Sequence, residues 1–403
     1  MIEASPAALV PYVVAGAFAL AFVFGAVANK TNFCTMGAVS DWVNMGDTGR
    51  LRMWLLAIAV AIVGSSALQV AGVVDLSKSI YPGPNFTWLS YLVGGFCFGV
   101  GMTLGSGCGS KTLVRVGGGS LKSLVVFIFL AIAAYMTLRG LFGAFRVGVL
   151  ERASITLPTG QDLPSLLARA SGADKRVLVA LIGAALGGAL AAFAYSSASF
   201  RANFDYTLGG VVVGLVVVGG WLVSGVIGHV AEDPNTLQEA FVATNTGRME
   251  SFSFVAPLAF TLEYFMLWTD KSEIVTYGIA SVAGVIAGSA AYAMATGRFR
   301  WEGFRDAEDT ASHIVGGLLM GFGGITALGC TIGQGIAGFS TLAVGSMITF
   351  VAIVAGAAAT MKYHYWRVSR PAGDVSGHGD ESSARQPPRH EPLDAARERT
   401  GAG

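Results

Sequence analysis

Apolar runs about as long as a bilayer is thick recur from one end of this chain to the other. They stand at 11–28, 54–74, 121–138, 177–195, 252–268 and 344–363, with further glycine-dense runs at 89–104, 208–223, 274–295 and 314–328. A helix needs about 20 apolar residues to cross a ~30 Å hydrocarbon layer. Composition agrees: 53% of residues are apolar and 13% charged, against roughly 45–50% and 25% in soluble domains. The expected fold class is therefore an all-α polytopic membrane protein with about nine transmembrane helices plus re-entrant half-helices. A formal net charge of +1 leaves no basic surface for nucleic acid or another polyanion.

The first six residues carry Glu3 and no Lys or Arg, so the basic start of a signal peptide is absent and the first helix is expected to stay. Lys362, Arg367 and Arg370 follow the last run. Positive charge near membrane ends favours the cytoplasm, so the C-terminus is expected there. Residues 371–403 are polar, mixed in charge and poor in large apolar groups, and are expected to be a disordered tail.

Shifting the sequence by 222 residues lays VGGFCFGVGMTLGSGC (93–108) on VGGLLMGFGGITALGC (315–330), with seven of sixteen positions identical. A weaker echo joins DTGRLRM (47–53) to NTGRMES (245–251). The chain reads as a duplication: a first half over 1–138, a polar connector over 139–176, and a second half over 177–370. Duplicated transporters place substrate near the midplane, between the repeats, and often use broken helices there. Glycine makes up 55 of 403 residues, about twice the usual ~7%. Gly95/Gly99 and Gly317/Gly321 have the spacing that lets helix backbones approach closely.

The turns GSGCGSKT (105–112) and GCTIGQGI (329–336) each hold a cysteine among glycines. The first is no phosphate loop, because Ser110 precedes Lys111 where glycine is required, and no strand leads into it. A helix that starts in such a turn still points unpaired N–H groups and a positive dipole end at any anion beside it. Gly107, Gly109, Gly329 and Gly333 are expected to shape the two turns. Lys111 and Gln334 are expected to support anion binding, Lys111 as a charge near the mouth, with Arg115 and Lys122 adding positive charge nearby. Burial among apolar neighbours favours the neutral thiol, a weak S–H donor that touches an anion without trapping it. The expected ligand is a small, sulfur-friendly anion.

Cys34 lies in ANKTNFCTMGAVSD, and its counterpart in the second half is sought near GGWLVSGVIG, which has no cysteine. Cys97 pairs with Leu319 in the repeat and reads as packing. Four scattered cysteines give no disulfide framework and no zinc spacing, so neither metal nor cofactor is expected. Glu263 is expected to snorkel to the interface rather than relay protons. His229 and His313 read as interfacial. Trp54, Trp88, Trp268 and Trp301 read as an aromatic belt.

TNFCTMGAVSD, GFCFGVGMTLGSGCGSKTLVRVGGG and GGLLMGFGGITALGCTIGQGIAGFSTLAVGS closely resemble the YeeE/YedE family of sulfur-compound membrane transporters, over roughly residues 15–366. The resemblance implies an hourglass of helices meeting at a central constriction. It also implies a substrate pathway through Cys34, Cys108 and Cys330, which pass thiosulfate along by S–H hydrogen bonds without a covalent intermediate. It further implies an inner-membrane permease, not an enzyme, that hands substrate to a cytoplasmic sulfur-carrier protein or sulfurtransferase. Selenium-related members share the motifs. Two rivals stand beside this reading: a membrane sulfurtransferase with a nucleophilic cysteine, which needs a base beside the thiol, and a non-transporting sensor.

Overall fold

A backbone in hydrocarbon must satisfy its own hydrogen bonds. In the computed structural model, which describes residues 6–234, 236–304 and 306–369, the apolar runs accordingly become helices. The first half contains α1 (Pro6–Lys30), α2 (Thr35–Ser40), α3 (Gly49–Val70), α4 (Trp88–Leu104), α5 (Gly109–Gly117) and α6 (Leu121–Arg139). The connector adds α7 (Leu141–Phe145) and α8 (Leu163–Ser171). Then follow α9 (Lys175–Tyr195), α10 (Ala198–Ala202), α11 (Phe204–Leu222), α12 (Ala256–Met266), α13 (Tyr277–Ala295), α14 (Ala307–Thr326) and α15 (Val344–Ser369). Strand structure is confined to two-residue antiparallel ladders, β1 (Asn85–Phe86) with β2 (Ile155–Thr156) and β3 (His229–Val230) with β4 (Ala240–Phe241). Met1–Tyr363 forms one compact unit; of the second unit, His364–Gly403, only the end of α15 is described. The tail expected to be disordered, 371–403, lies outside the described residues.

Among the described residues, eight stretches are long and apolar enough to cross a membrane. α14 adds a ninth crossing, because it runs antiparallel to α4 with backbones in contact. A Cβ on Gly94 would lie 2.8 Å from the Gly323 carbonyl, and one on Gly101 2.7 Å from the Gly316 carbonyl. The chain is a polytopic all-α membrane protein.

Packing is exchanged between the halves. Gly95 and Gly99 of α4 seat against Thr349 and Ile353 of α15, whereas Gly317 and Gly321 of α14 seat against Val126 and Leu130 of α6. α1 lies on α13, and α3 on α11. Glycine permits this approach because it has no side chain to hold the helices apart.

Two faces emerge from the loop contacts. β1 at the start of α4 pairs with β2 in the connector, and Leu163 and Val344 exchange hydrogen bonds with Leu342 and Gln161, which places the start of α15 on that connector face. On the opposite face, Ser120 bridges to Glu302, and Lys122 at the start of α6 pairs with Asp309 at the start of α14 at 2.6 Å. α4 with α5 therefore begins on one face and ends on the other. The cysteine turns are breaks in crossing helices rather than hairpins that return to their own side. The re-entrant element lies elsewhere: residues 251–255 dip inward, and α12 climbs back to meet the end of α6.

That return is anchored by Glu263, which is buried and does not snorkel. Its carboxylate accepts from Arg139 Nη1 at 2.8 Å and from Tyr135 Oη at 3.1 Å on α6. Trp54 is likewise core, stacked between Phe33 and Phe350, while Trp88, Trp268 and Trp301 are exposed. His229 bonds Glu239, and His313 bonds the Asp309 carbonyl. No cluster of metal-ligating side chains occurs among the described residues.

Candidate functional site: three buried thiols

Each crossing helix breaks by the same device. Ser106 and Leu328, which are 222 residues apart, adopt left-handed backbone conformations (φ 57° and 59°). The following N–H groups then reach back, Gly107 to the Met102 carbonyl at 2.9 Å and Gly329 to the Gly324 carbonyl at 2.7 Å. This is the closure that ends helices in a left-handed turn. The chain next delivers Cys108 and Cys330, 1% and 0% exposed, to new short helical starts.

The two turns face a shared wall. Phe254 donates its N–H to Cys330 Sγ at 3.4 Å, and its carbonyl oxygen would stand 3.1 Å from a Cβ on Gly109. Gly333 likewise leaves room for Ser253, whose Oγ would be 2.7 Å from an added Cβ. Cys330 Sγ also accepts from the Gly333 N–H at 3.4 Å. Cys108 Sγ lies 3.2 Å from Ser110 Oγ, and α5 has no side-chain cap, so its first N–H groups stay available.

Cys34 caps α2, its sulfur accepting the Gly37 N–H at 3.3 Å. α2 is held by α3: Arg50 binds both Asp41 carboxylate oxygens, one through Nη2 at 2.6 Å, and would collide with any Cβ on Gly37. Cys108, the middle of the three thiols in the sequence, is within electrostatic range of both Cys34 and Cys330. Lys111 is buried within range of Cys34 and Cys108, not at a mouth; its Nζ donates to Asn32 Oδ1 at 2.6 Å. Arg115 Nη1 donates to the Ser106 carbonyl at 2.7 Å, tying off the broken end of α4. Gln334 Nε2 does the same for the Ala327 carbonyl at 2.5 Å. Among the described residues, Gln334 Oε1 has no hydrogen-bond partner.

On the connector face, the turn at Gly329 borders a cavity of about 160 Å³, with Tyr81, Arg146, Glu250 and Ser253 among its walls. Burial pushes the Glu250 carboxyl above its ordinary range, against the hydrogen bonds it accepts from Thr246.

The second-half counterpart of Cys34 is not at GGWLVSGVIG. Phe33-Cys34 precede α2 as Phe254-Val255 precede α12, each pair buried and the second residue in the capping position. Val255 stands where a fourth thiol would be. Sequence reasoning passed over it, and over Asn32, Ser110 and Phe254, because a Phe and a polar residue before an apolar run carry no chemical signature.

The family model for sulphur transport matches residues 30–359, which take in all three thiols. The chain belongs to the sulphur transport family. It is similar to the thiosulfate transporter TsuA of Spirochaeta thermophila, 25% identical over 347 residues that cover 83% of this chain and 94% of the relative. It is also similar to the thiosulfate transporter TsuA of Escherichia coli, 27% identical over 324 residues that cover 78% and 84%. Membership in the sulphur transport family agrees with the resemblance carried by the cysteine motifs, and with a transporter rather than an enzyme.

Proposed function

We propose that this chain is a permease of the cell inner membrane that imports thiosulfate or a closely related small sulfur-containing anion. The observation that carries the reading is the burial of Cys34, Cys108 and Cys330, with Cys108 within electrostatic range of the other two; the reading takes them as a series. At Cys34 and Cys330 the sulfur accepts backbone N–H groups. The S–H proton is then free to point at a passing anion. A succession of weak donors suits passage, since an anion must enter each site and leave it. The similarity to two thiosulfate transporters supports the choice of anion.

With the C-terminus in the cytoplasm, the connector face is outside. The anion then meets the cavity at Gly329 first and passes Cys330, Cys108 and Cys34 in turn. Gly107, Gly109, Gly329 and Gly333 keep the turns narrow. Delivery to a cytoplasmic sulfur-carrier protein or sulfurtransferase would follow on the Cys34 side. A nucleophilic route would need a base bonded to a thiol, and among the described residues the hydrogen-bond partners of the three sulfurs are N–H groups and the Ser110 hydroxyl.

The test is uptake of labelled thiosulfate into proteoliposomes holding only this protein. Cys34→Ala, Cys108→Ala and Cys330→Ala should each cut the rate at least about tenfold at matched incorporation, whereas Cys97→Ala on the flank of α4 should not. Parental rates in all three would end the thiol-series reading.

A further inference from the structure

A lysine is buried within electrostatic range of both Cys34 and Cys108. Lys111 is 9% exposed, lies within electrostatic range of both thiols, and among the described residues is paired with no carboxylate. Among the described residues its hydrogen-bond partner is the neutral Asn32 amide oxygen at 2.6 Å. The nearby carboxylate, Asp41, is already bound through both oxygens by Arg50. Arg115, also in range, spends a guanidinium N–H on the Ser106 carbonyl.

Burying an ammonium without a counter-ion is costly, and proteins meet that cost by pairing the charge. An ammonium has three N–H donors, and Asn32 takes one. The duplication isolates this charge further. The position equivalent to Lys111 in the second half is Gly333, where an added Cβ would stand 2.7 Å from Ser253 Oγ, so the second turn has neither a cation nor room for one.

We infer that the transported anion is itself the missing counter-ion: Lys111, with Asn32 beside it and the uncapped first turn of α5 behind it, forms the anion's holding site between Cys34 and Cys108, and selects doubly over singly charged anions. This inference rests on the transport reading and names where the substrate pauses. Asn32 holds the ammonium while the site is empty. A neutral oxygen yields to an incoming dianion and returns when the anion leaves, which a carboxylate partner would not do.

Two measurements test it. In proteoliposomes, Lys111→Met should raise the half-saturation concentration for thiosulfate by at least about tenfold, and should lose the wild-type preference for thiosulfate over competing thiocyanate, a monoanion, while Lys111→Arg keeps that preference. Unchanged half-saturation and selectivity in Lys111→Met overturn the inference and leave thiosulfate transport standing. If wild type takes up no thiosulfate, the transport reading fails and takes this inference with it. The second measurement needs no variant: crystals of the wild-type protein soaked in selenosulfate, at a concentration that saturates uptake of the sulfur analogue, should show anomalous density within hydrogen-bond reach of Lys111 Nζ. Density only in the cavity at Gly329, or none at Lys111, overturns it.

Discussion

Sulfur and carboxyl groups divide the labour at the residue scale. The thiols of Cys34 and Cys330 use their sulfur lone pairs locally and keep S–H to offer, while Glu250 is the acid at the cavity that leads to them. Because burial raises the pKa of Glu250 above the ordinary carboxylate value of about 4.3, the carboxyl is neutral on the acid side. It ionises as pH climbs through its raised value. Ionisation puts a negative charge on the cavity wall opposite Arg146. Uptake from the connector face at low substrate should therefore decline as pH rises through that value, and Glu250→Gln should flatten the profile; a wild-type rate indifferent to pH over this window would contradict the assignment. The same chemistry shows what the sequence could disclose. Cys108 and Cys330 announce themselves because each sits in a repeated glycine pattern. Lys111 does not, since its burial depends on Asn32, 79 residues away. Val255 is hidden for the converse reason: it occupies the place of Cys34 and shares none of its chemistry.

Between elements, stability rests on backbone approach and on a few buried charges. A Cβ on Gly99 would lie 2.1 Å from the Ile353 carbonyl oxygen, and one on Gly321 2.5 Å from that of Leu130. Neither oxygen can swing away as a side chain does. Gly99→Ala and Gly321→Ala should each destabilise by about 1–3 kcal/mol, read as a lower thermal midpoint in detergent. Gly188→Ala on α9, with nothing within 4 Å, should hold or raise the midpoint, since alanine favours a helix by up to about 1 kcal/mol over glycine. The Arg139–Glu263 pair binds α12 to α6 with the carboxylate 5% exposed. Arg139→Met leaves the buried carboxylate with only the Tyr135 hydroxyl among these partners and should cost about 1–3 kcal/mol, whereas Arg139→Met with Glu263→Leu should recover most of the loss. A double variant no more stable than the single would show the pair to be incidental. Helix positions were legible from apolar length alone, and glycine identity revealed the repeat. The direction of the breaks was not legible, because it takes the contacts of β1 with β2, of Ser120 with Glu302, of Lys122 with Asp309 and of Val344 with Gln161 to show that each broken helix finishes on the far face.

For the whole molecule, nine crossings put the start of α1 and the end of the compact unit on opposite faces. With the C-terminus proposed to be cytoplasmic, Arg152→Cys in the connector of a cysteine-free variant should react with a membrane-impermeant maleimide in intact cells. Gly303→Cys, in the loop before α14, should react only after permeabilisation; the reverse pattern would invert the import direction and the order of the thiols. Membrane class could be read from the chain because it depends on residues close in sequence. The exchange of packing partners between halves could not, since it joins positions about 190 to 250 residues apart. That exchange also governs how the protein must be made. Domains generally form in order of synthesis, but Gly95 and Gly99 of α4 find their cover only on α15, the last crossing to emerge. During translation the first half must wait in the lipid with its glycine grooves open, and a ribosome that stalls before residue 344 leaves an unfinished clasp for quality-control proteases to find.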